Sequence, residues 1–213
     1  MTTKPITAEQ MKHYDSYTIN TIGIPSLVLM ERAALAVRDH ILHHFADQLD
    51  HVVVVAGNGN NGGDGLAIAR LLHIAGAGVS IINVGNPDHA SVEHQTQDRI
   101  CQYYRLTQTT QLTPLAHASL VVDALFGIGI DRPVTGAYAK AITAINNSPS
   151  PVVAVDMPSG INTDTGKVMA VAVKATATVT FACNKVGLTI ADGQHYAGRI
   201  VVADDMGTYV TDK

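Results

Sequence analysis

A run of four valines and an alanine leads directly into a loop of glycines and asparagines, and this junction limits the folds open to the chain more than any other feature. The run covers 52–56, and the loop 57–65 holds five glycines and three asparagines. An uninterrupted apolar run of this length is typical of a strand buried on both faces. The segment 66–72 behind the loop consists of good helix-forming residues. The sequence therefore predicts a buried strand, a tight loop and a helix in direct succession.

Three of these glycines, Gly57, Gly59 and Gly62, have the spacing G-x-G-x-x-G. Glycine lets the backbone approach a phosphate closely, and the first N–H groups of the following helix have no intrahelical partners. The loop is therefore predicted to bind an anion, and a phosphate-bearing ligand is the natural candidate.

The dinucleotide pattern breaks off after this loop. An ordinary NAD-dependent dehydrogenase ends its second strand with Asp or Glu about 20 residues after the first glycine, where the acid holds the ribose hydroxyls. Here the second strand is predicted at 78–84, and 85–87 follow it with no acid before Asp88. A dehydrogenase is therefore disfavoured. The amide and carboxylate oxygens within the glycine loop, which a phosphate does not need, indicate that the loop also binds polar groups or a cation.

Composition sets bounds on the function. A chain of 213 residues that is 46% hydrophobic suits one domain, predicted to span 1–213. A net charge of -4, with no basic run, argues against nucleic acid or a membrane surface as partner. Two cysteines, Cys101 and Cys183, are too few for a disulfide framework or a closed zinc site. The first 25 residues lack a secretory apolar segment, and no apolar stretch is long enough to span a bilayer, so we expect a soluble cytoplasmic protein.

Strands and helices are predicted to alternate along the chain. Two helices come first, one from a capping box of Thr7 and Gln10 to about Thr21 and one with a buried stripe from Leu27 to Ile41. The later strands are predicted at 52–56, 78–84, 119–123, 152–156, 176–181 and 200–202, and the helices between them at 63–75, 91–105 and 136–145. This pattern favours a Rossmann-like three-layer α/β/α sandwich with a mostly parallel central sheet and two extra N-terminal helices.

Three predicted strand ends carry polar residues, and ligands of open α/β sheets bind at such ends. The first is the glycine loop. The second is Asp123, followed by a loop with Gly127 and Gly129, and the third is Asp156, followed by a turn that ends at Gly160. We expect all three on one rim of the sheet. Each aspartate is also a candidate helix N-cap without a chemical role.

Together these stretches resemble one family, the YjeF N-terminal domains, which are the NAD(P)H-hydrate epimerases. The resemblance rests on ordered motifs that run through nearly the whole chain. They are Gly23-Ile24-Pro25, Leu29-Met30-Glu31-Arg32, Asn60-Asn61-Gly62-Gly63-Asp64-Gly65, Asp123-Ala124-Leu125-Phe126-Gly127, Asp156-Met157-Pro158-Ser159-Gly160, Thr180-Phe181, Lys185 and Gly187-Leu188. A lone glycine pattern is a weak signal, whereas four motifs in order and in the right strand context argue strongly against chance.

The resemblance implies a repair enzyme. Reduced nicotinamide cofactor that has been hydrated at C6 of its ring exists as R and S epimers. The family interconverts the epimers of hydrated NADH and NADPH, so that a separate dehydratase acting on the S form can restore both. The dehydratase is often fused to this domain, but we expect a standalone epimerase here because 213 residues are too few to include it.

The resemblance also implies site residues. The substrate-binding set is Asn60, Asn61, Gly62, Gly63, Asp64, Gly127, Ile128, Gly129, Ile130, Asp131, Arg132, Pro133 and Asp156. The ligands of one potassium ion (K+) per subunit are Asn61, Asp123 and Ser159, and such oxygen ligands suit a hard cation. The resemblance further implies a homodimer, with the two N-terminal helices as the expected interface.

Epimerisation at C6 needs a group that exchanges a proton with the ring hydroxyl or the ring nitrogen. Asp156 is the predicted acid–base residue, because a carboxylate at a strand end is partly desolvated and can both take and give a proton. Lys185 is predicted as a second proton carrier or charge stabiliser, against the alternative of a solvated surface lysine. Two other functions stay open: a nucleotide-binding or dimerisation module without turnover, and an ordinary NAD-dependent oxidoreductase.

Overall fold

A computed structural model describes residues 4–210, and within them seven strands form a single sheet. The strands are β1 (Val52–Ala56), β2 (Val79–Asn83), β3 (Thr107–Thr109), β4 (Leu120–Ala124), β5 (Val152–Val155), β6 (Ala177–Phe181) and β7 (Arg199–Ala203). Their order in the sheet is β3-β2-β1-β4-β5-β6-β7, and each neighbouring pair is parallel. The predicted parallel sheet is confirmed.

Helices connect the strands and precede them. The α-helices are α1 (Ala8–Tyr17), α2 (Ser26–His44), α3 (Asn60–Ile74), α4 (Val92–Tyr103), α5 (Gly136–Asn147), α6 (Val186–Thr189) and α7 (Gly193–Tyr196). A π-helical turn, Thr18–Ile22, follows α1, and short 3₁₀ helices cover Ala46–Gln48, Pro87–His89 and Thr113–His117. Across residues 4–210, no helix combines the length and the apolar character needed to cross a membrane.

The side chains of β1 show how the three layers arise. Val52 and Val54 point into a core shared with α2 and α3, whereas Val53 and Val55 point into a second core shared with α5. All four valines are fully buried. Because helices cover both faces of the strand, each position in it requires an apolar side chain. The Rossmann-like α/β/α sandwich is therefore confirmed.

Successive strands are added on one side of β1 up to β3 and on its other side from β4 onwards, and this change of side positions the site. β2 pairs with one side of β1 and β4 with the other. Loops that leave two such strands diverge, and the crevice between them is where open α/β sheets bind ligands. The register aligns Ala56 with Ala124, and Asp123 with Ala154, so β1, β4 and β5 end at one rim. The predicted common rim is confirmed.

Two element boundaries and one additional strand differ from the sequence prediction for physical reasons. Helix α3 begins at Asn60 rather than at 63, so much of the glycine-rich segment forms the first turn of the helix. Strand β5 ends at Val155 because Asp156 has a φ of +66°, outside the strand region. Strand β3 was not predicted, because its three residues are polar and show no apolar alternation.

Hydrogen bonds hold the N-terminal helices beside the edge of the sheet where the carboxyl ends of the strands lie. The N–H of Ile6 donates to the carbonyl oxygen of Asn184 at 2.9 Å, and the N–H of Val186 donates back to that of Ile6 at 3.0 Å. Near the other end of the chain, the N–H of Tyr209 donates to Thr18 Oγ1 at 2.9 Å. Helix α1 and the C-terminal segment 204–210 are thus held together beside the strand ends.

Candidate active site

A cavity of about 640 Å³ opens at this rim, between the strand-end loops and the N-terminal helices. One wall belongs to the sheet side and includes Asn60, Asn61, Asp64, Gly127, Gly129 and Asp156. The other wall belongs to α1, α2 and the C-terminal segment, and includes Met11, Asp15, Leu29, Met30 and Met206. The cavity therefore sets a polar wall against a mostly apolar one. This arrangement suits a flat ring with polar substituents.

Glycine is required at three points near the cavity because a side chain there would collide with its neighbours. A Cβ atom at Gly62 would lie 1.7 Å from the carbonyl oxygen of Gly57, and one at Gly57 would lie 2.2 Å from that of Leu125. A Cβ atom at Gly65 would lie 2.5 Å from the Cβ of Ala124. The start of α3 is thereby packed tightly against the sheet. Its first-turn N–H groups have no intrahelical partners, which supports the predicted anion site.

Asp156 and Lys185 form a buried ion pair in the sheet-side wall. Lys185 Nζ lies 2.6 Å from Asp156 Oδ1, and no part of the lysine is exposed to solvent. Nζ also donates to the carbonyl oxygen of Phe181 at 2.7 Å, and Thr180 Oγ1 donates to Asp156 Oδ1 at 3.1 Å. The alternative of a solvated surface lysine is therefore wrong. These contacts occupy Oδ1 and leave the second oxygen, Oδ2, for a ligand.

The backbone of Asp156 directs its carboxylate away from the strand. Its φ of +66° lies in the left-handed region, which residues other than glycine adopt rarely. Two hydrogen bonds hold the turn, one from the N–H of Asp156 to the carbonyl oxygen of Val179 and one from the N–H of Met157 to that of Val155, each 2.8 Å long. Strained backbone persists only where its surroundings hold it, and such residues cluster at functional sites.

Asp123 is fully buried beneath the cavity. Its Oδ1 accepts a hydrogen bond from Ser159 Oγ at 2.6 Å and its Oδ2 accepts one from the N–H of Ser159 at 2.8 Å. Burial raises the pKa of Asp123 to about 6, and the hydrogen bonds from Ser159 and Leu125 oppose that rise. No Lys or Arg within residues 4–210 forms an ion pair with this carboxylate.

The alternative that the two aspartates are helix N-caps is wrong. The N-cap positions of the α-helices in the described part of the chain are held by other residues, namely Thr7, Pro25, Gly59, Ser91, Thr135, Lys185 and Asp192. Asp123 and Asp156 instead hold side-chain contacts between strand ends.

Gly127 lies beside polar atoms of both Asn61 and Asp156. A Cβ atom at this glycine would be 3.1 Å from Asn61 Oδ1 and 3.2 Å from Asp156 Oδ2. Asn61 Nδ2 is buried and has no hydrogen-bond partner in the described part of the chain. A buried amide without a partner lowers stability unless something pairs with it. The sheet-side wall is therefore built to receive a polar ligand.

The predicted substrate-binding residues fall into two groups. One group lines the cavity and comprises Asn60, Asn61, Asp64, Gly127, Ile128, Gly129 and Asp156. The other does not line it: Gly62 and Gly63 are buried in α3, Ile130 is buried in the core, and Asp131, Arg132 and Pro133 are exposed. A contact of this second group with the substrate stays a prediction. Of the predicted potassium ligands, Asn61 lines the cavity, and Asp123 and Ser159 are buried beneath it.

Two more carboxyl groups in the cavity have raised pKa values. Burial raises the pKa of Asp15 to about 6, while the charge of Lys185 opposes the rise and that of Asp156 adds to it. Burial also raises the pKa of Asp64 well above its ordinary value, with further contributions from Asp156 and Asp15. Carboxyl groups gathered and desolvated in this way are typical of acid–base sites.

Reasoning from the sequence missed the wall formed by α1, α2 and the C-terminal segment. Met11 and Asp15 are four residues apart and so share one face of α1, which is the face that lines the cavity. No local signal indicates that this face covers the strand ends, because long-range contacts such as that of Ile6 with the segment around Lys185 bring α1 there.

The fold and the cavity define a Rossmann-like α/β protein with a ligand site at the carboxyl ends of its strands. The family profile described as YjeF-related protein N-terminus matches residues 26–187. The chain belongs to this family of YjeF-related N-terminal domains.

Relatives of full length share a name. The chain is 71% identical over 212 residues to a protein of Limosilactobacillus reuteri (strain DSM 20016) named NAD(P)H-hydrate epimerase, with 100% of each chain covered. It is 64% identical over 209 residues to the protein of that name from Limosilactobacillus fermentum, covering 98% of this chain and 100% of the relative. The crystal structure of yeast ynu0 superposes with a TM-score of 0.81 at 22% identity over 94% of this chain and 87% of the yeast chain, a likeness of fold.

Proposed function

We propose that this protein interconverts the R and S epimers of hydrated NADH and NADPH at C6 of the nicotinamide ring. The observation that carries the proposal is Asp156, whose carboxylate projects from a strained turn into the cavity and has one oxygen without a hydrogen-bond partner among the described residues. The name shared by relatives that are 71% and 64% identical supports hydrated NADH and NADPH as the substrates.

Asp156 is the residue that exchanges a proton with the substrate. Its Oδ2 reaches the C6 hydroxyl or the ring nitrogen, while Lys185 and Thr180 hold Oδ1. Because two of the three protons on Lys185 are already engaged, by Asp156 and by the carbonyl of Phe181, the lysine orients the carboxylate and compensates its charge. Acid–base help of this kind is typically worth about 10²- to 10⁴-fold in rate.

The rest of the substrate lies along the rim. Its phosphates bind at the start of α3, where the first-turn N–H groups favour an anion. The hydrated ring lies between Gly127 and the apolar wall formed by Leu29, Met30 and Met206. Asp64, whose burial raises its pKa well above the ordinary value, is in position to donate a hydrogen bond to a substrate oxygen.

Potassium binding by Asn61, Asp123 and Ser159 is part of the proposal, and the chemistry of these residues fits a monovalent cation. Asp123 is a fully buried carboxylate without a positively charged partner among the described residues, a situation that a bound cation relieves. The amide oxygen of Asn61 and the hydroxyl oxygen of Ser159 are hard ligands, and within residues 4–210 there is no cluster of His, Cys, Asp and Glu that would favour a transition metal. A potassium ion held by these residues would supply positive charge near the substrate.

We expect three further properties. A separate S-specific dehydratase consumes the product, because epimerisation alone restores no cofactor. The N-terminal helices form a homodimer interface, which is supported by exposed apolar side chains at Tyr17, Ile22 and Val28, exposed by 40%, 48% and 46%. The enzyme works in the cytoplasm, where reduced nicotinamide cofactors are used.

The proposed function is tested with purified R-hydrate and a separate S-specific dehydratase. Acceleration of R-hydrate consumption by this protein supports an epimerase. Tight binding of the hydrate without acceleration means that the protein is a binding module, and transfer of a hydride means that it is an oxidoreductase.

A further inference from the structure

A second carboxyl group faces the same cavity from a different element. Asp15 lies on α1, lines the cavity and is only partly exposed, whereas Asp156 belongs to the strand ends. Within residues 4–210, no hydrogen bond or ion pair engages the side chain of Asp15, in contrast to Asp156 Oδ1. The Asp15 carboxyl is therefore available to a ligand.

The two carboxyl groups have different surroundings. Asp156 is paired with the ammonium group of Lys185 at 2.6 Å. Within residues 4–210 Asp15 has no such ion-pair partner, and burial raises its pKa to about 6. Two carboxyl groups whose environments differ in this way divide naturally into a proton acceptor and a proton donor.

Inversion at C6 needs a donor and an acceptor together, whichever bond breaks. In the first route the donor protonates the C6 hydroxyl, which leaves as water while the ring nitrogen forms a double bond to C6. A water then adds to the other face of C6 and gives a proton to the acceptor. If the ring opens, the acceptor takes the hydroxyl proton while the donor protonates the ring nitrogen as its bond to C6 breaks, and closure reverses both transfers. Either route is neutral in redox terms and gives back the hydrate.

We propose that Asp15 is a second catalytic residue, which exchanges a proton with the hydrated nicotinamide from the α1 wall while Asp156 does so from the strand ends. The proposal rests on the proposed function of the cavity. It explains why an N-terminal helix outside the alternating α/β core carries an unpaired carboxyl group into the site.

The test compares Asp15→Asn, Asp15→Ala and Asp15→Glu with wild type, following epimerisation in both directions. Glu9→Gln on the exposed part of the same helix is the matched control and should keep wild-type rates. Asp15→Asn and Asp15→Ala should lose about 10²- to 10⁴-fold in kcat with KM changed by less than about threefold, and Asp15→Glu should regain part of the rate. Asp15→Asn should unfold no more readily than wild type at pH 8, because an amide avoids the buried charge.

The pH profile separates proton exchange from a structural role. Lys12 lies on α1 beside Asp15, and the other charged residues that line the cavity are Asp64, Glu93, Asp156 and Lys185. If Asp15 donates a proton, kcat/KM of wild type should fall as the pH rises through about 6, and Asp15→Asn should lack that fall.

The outcomes separate failure of the inference from failure of the function. Wild type without any epimerase activity overturns the proposed function and the inference together. Suppose that wild type is active and the Asp15 variants are folded. The role of Asp15 is then overturned, and the epimerase function is not, if the variants keep kcat within about threefold of wild type, if only KM rises, or if the pH profile is unchanged.

Discussion

Lys185 Nζ lies 2.6 Å from Asp156 Oδ1, and the lysine is completely shielded from solvent. A charged lysine is almost never buried without a partner, because the loss of hydration is too large for the fold to compensate otherwise. The pair therefore ties the position of the reactive carboxylate to the stability of the fold. Asp156 belongs to the turn after β5, and Lys185 precedes α6.

Replacing Lys185 should therefore affect stability and activity together. Lys185→Met keeps most of the length of the side chain but leaves the buried Asp156 without its counter-charge. We expect the free energy of unfolding to fall by about 3–5 kcal/mol, with a loss of epimerase activity. Urea denaturation and the coupled epimerase assay measure the two effects.

The double variant Asp156→Asn/Lys185→Met provides the control. With both charges removed, it should regain much of the stability lost in Lys185→Met while it stays inactive. A double variant that is destabilised by the sum of the two single effects would mean that the two residues do not interact.

Gly127→Ala should reduce activity without unfolding the protein. The added Cβ atom would lie 3.1 Å from Asn61 Oδ1 and 3.2 Å from Asp156 Oδ2, so both side chains must move by a few tenths of an ångström. Displacements on this scale at reacting groups lower rates strongly, and we expect at least about a tenfold loss in kcat. Thermal unfolding should change little. Wild-type kinetics in this variant would show that Asn61 Oδ1 and Asp156 Oδ2 accommodate the added Cβ atom without harm to the reaction.

Potassium should stabilise the folded protein before any substrate is present. A ligand that binds only the folded state adds about 2.7 kcal/mol to the free energy of unfolding at roughly one hundred times its Kd. We expect potassium chloride to raise the Tm above that in choline chloride at equal ionic strength. Asp123→Ala should abolish this difference, although its own Tm will also be lower because Ser159 loses its acceptor. An equal response to both salts would contradict the cation site.

His40 should make the fold sensitive to acid at a place far from the cavity. It is 8% exposed, and burial, together with the neighbouring charges of His44, Arg199 and His43, lowers its pKa from 6.5 to about 4. Between pH 6.5 and 4 the unfolded chain therefore binds a proton at His40 that the folded chain does not bind. The free energy of unfolding falls as the pH drops through this range. The effect is at most about 3 kcal/mol.

The matched variant for this prediction is His40→Leu, which removes the titrating ring and a buried nitrogen without a partner in the described residues. Its free energy of unfolding should decline less than that of wild type between pH 7 and pH 4. Parallel curves for the two proteins would assign the acid sensitivity to other groups.

Local sequence patterns were sufficient for the parallel sheet and for the strand-end loops. The valines of β1 predict a strand covered on both faces, and the glycines after them predict a tight turn into α3. The three-residue strand Thr107–Thr109 was missed because its polar side chains lie at the sheet edge and carry no apolar signal.

The composition of the candidate site was predicted in part, because its residues come from distant segments. Motifs at the strand ends led to Asn61, Asp123, Asp156 and Ser159. The role of Asp15 depends on where α1 is placed, and that placement comes from long-range contacts, among them the pairing of Ile6 with Lys185 and the packing of Met11 and Tyr14. Such a long-range contact leaves no periodic or compositional trace in either segment.

The most direct measurement is the epimerisation rate of Asp156→Asn. Asparagine keeps the size of the side chain and tolerates the left-handed backbone at this position, but it cannot accept a proton. The folded variant should still bind the hydrate and should lose about 10²- to 10⁴-fold in rate after the spontaneous reaction is subtracted. A folded Asp156→Asn protein that epimerises the hydrate within about threefold of wild type would contradict the assignment of proton transfer to Asp156.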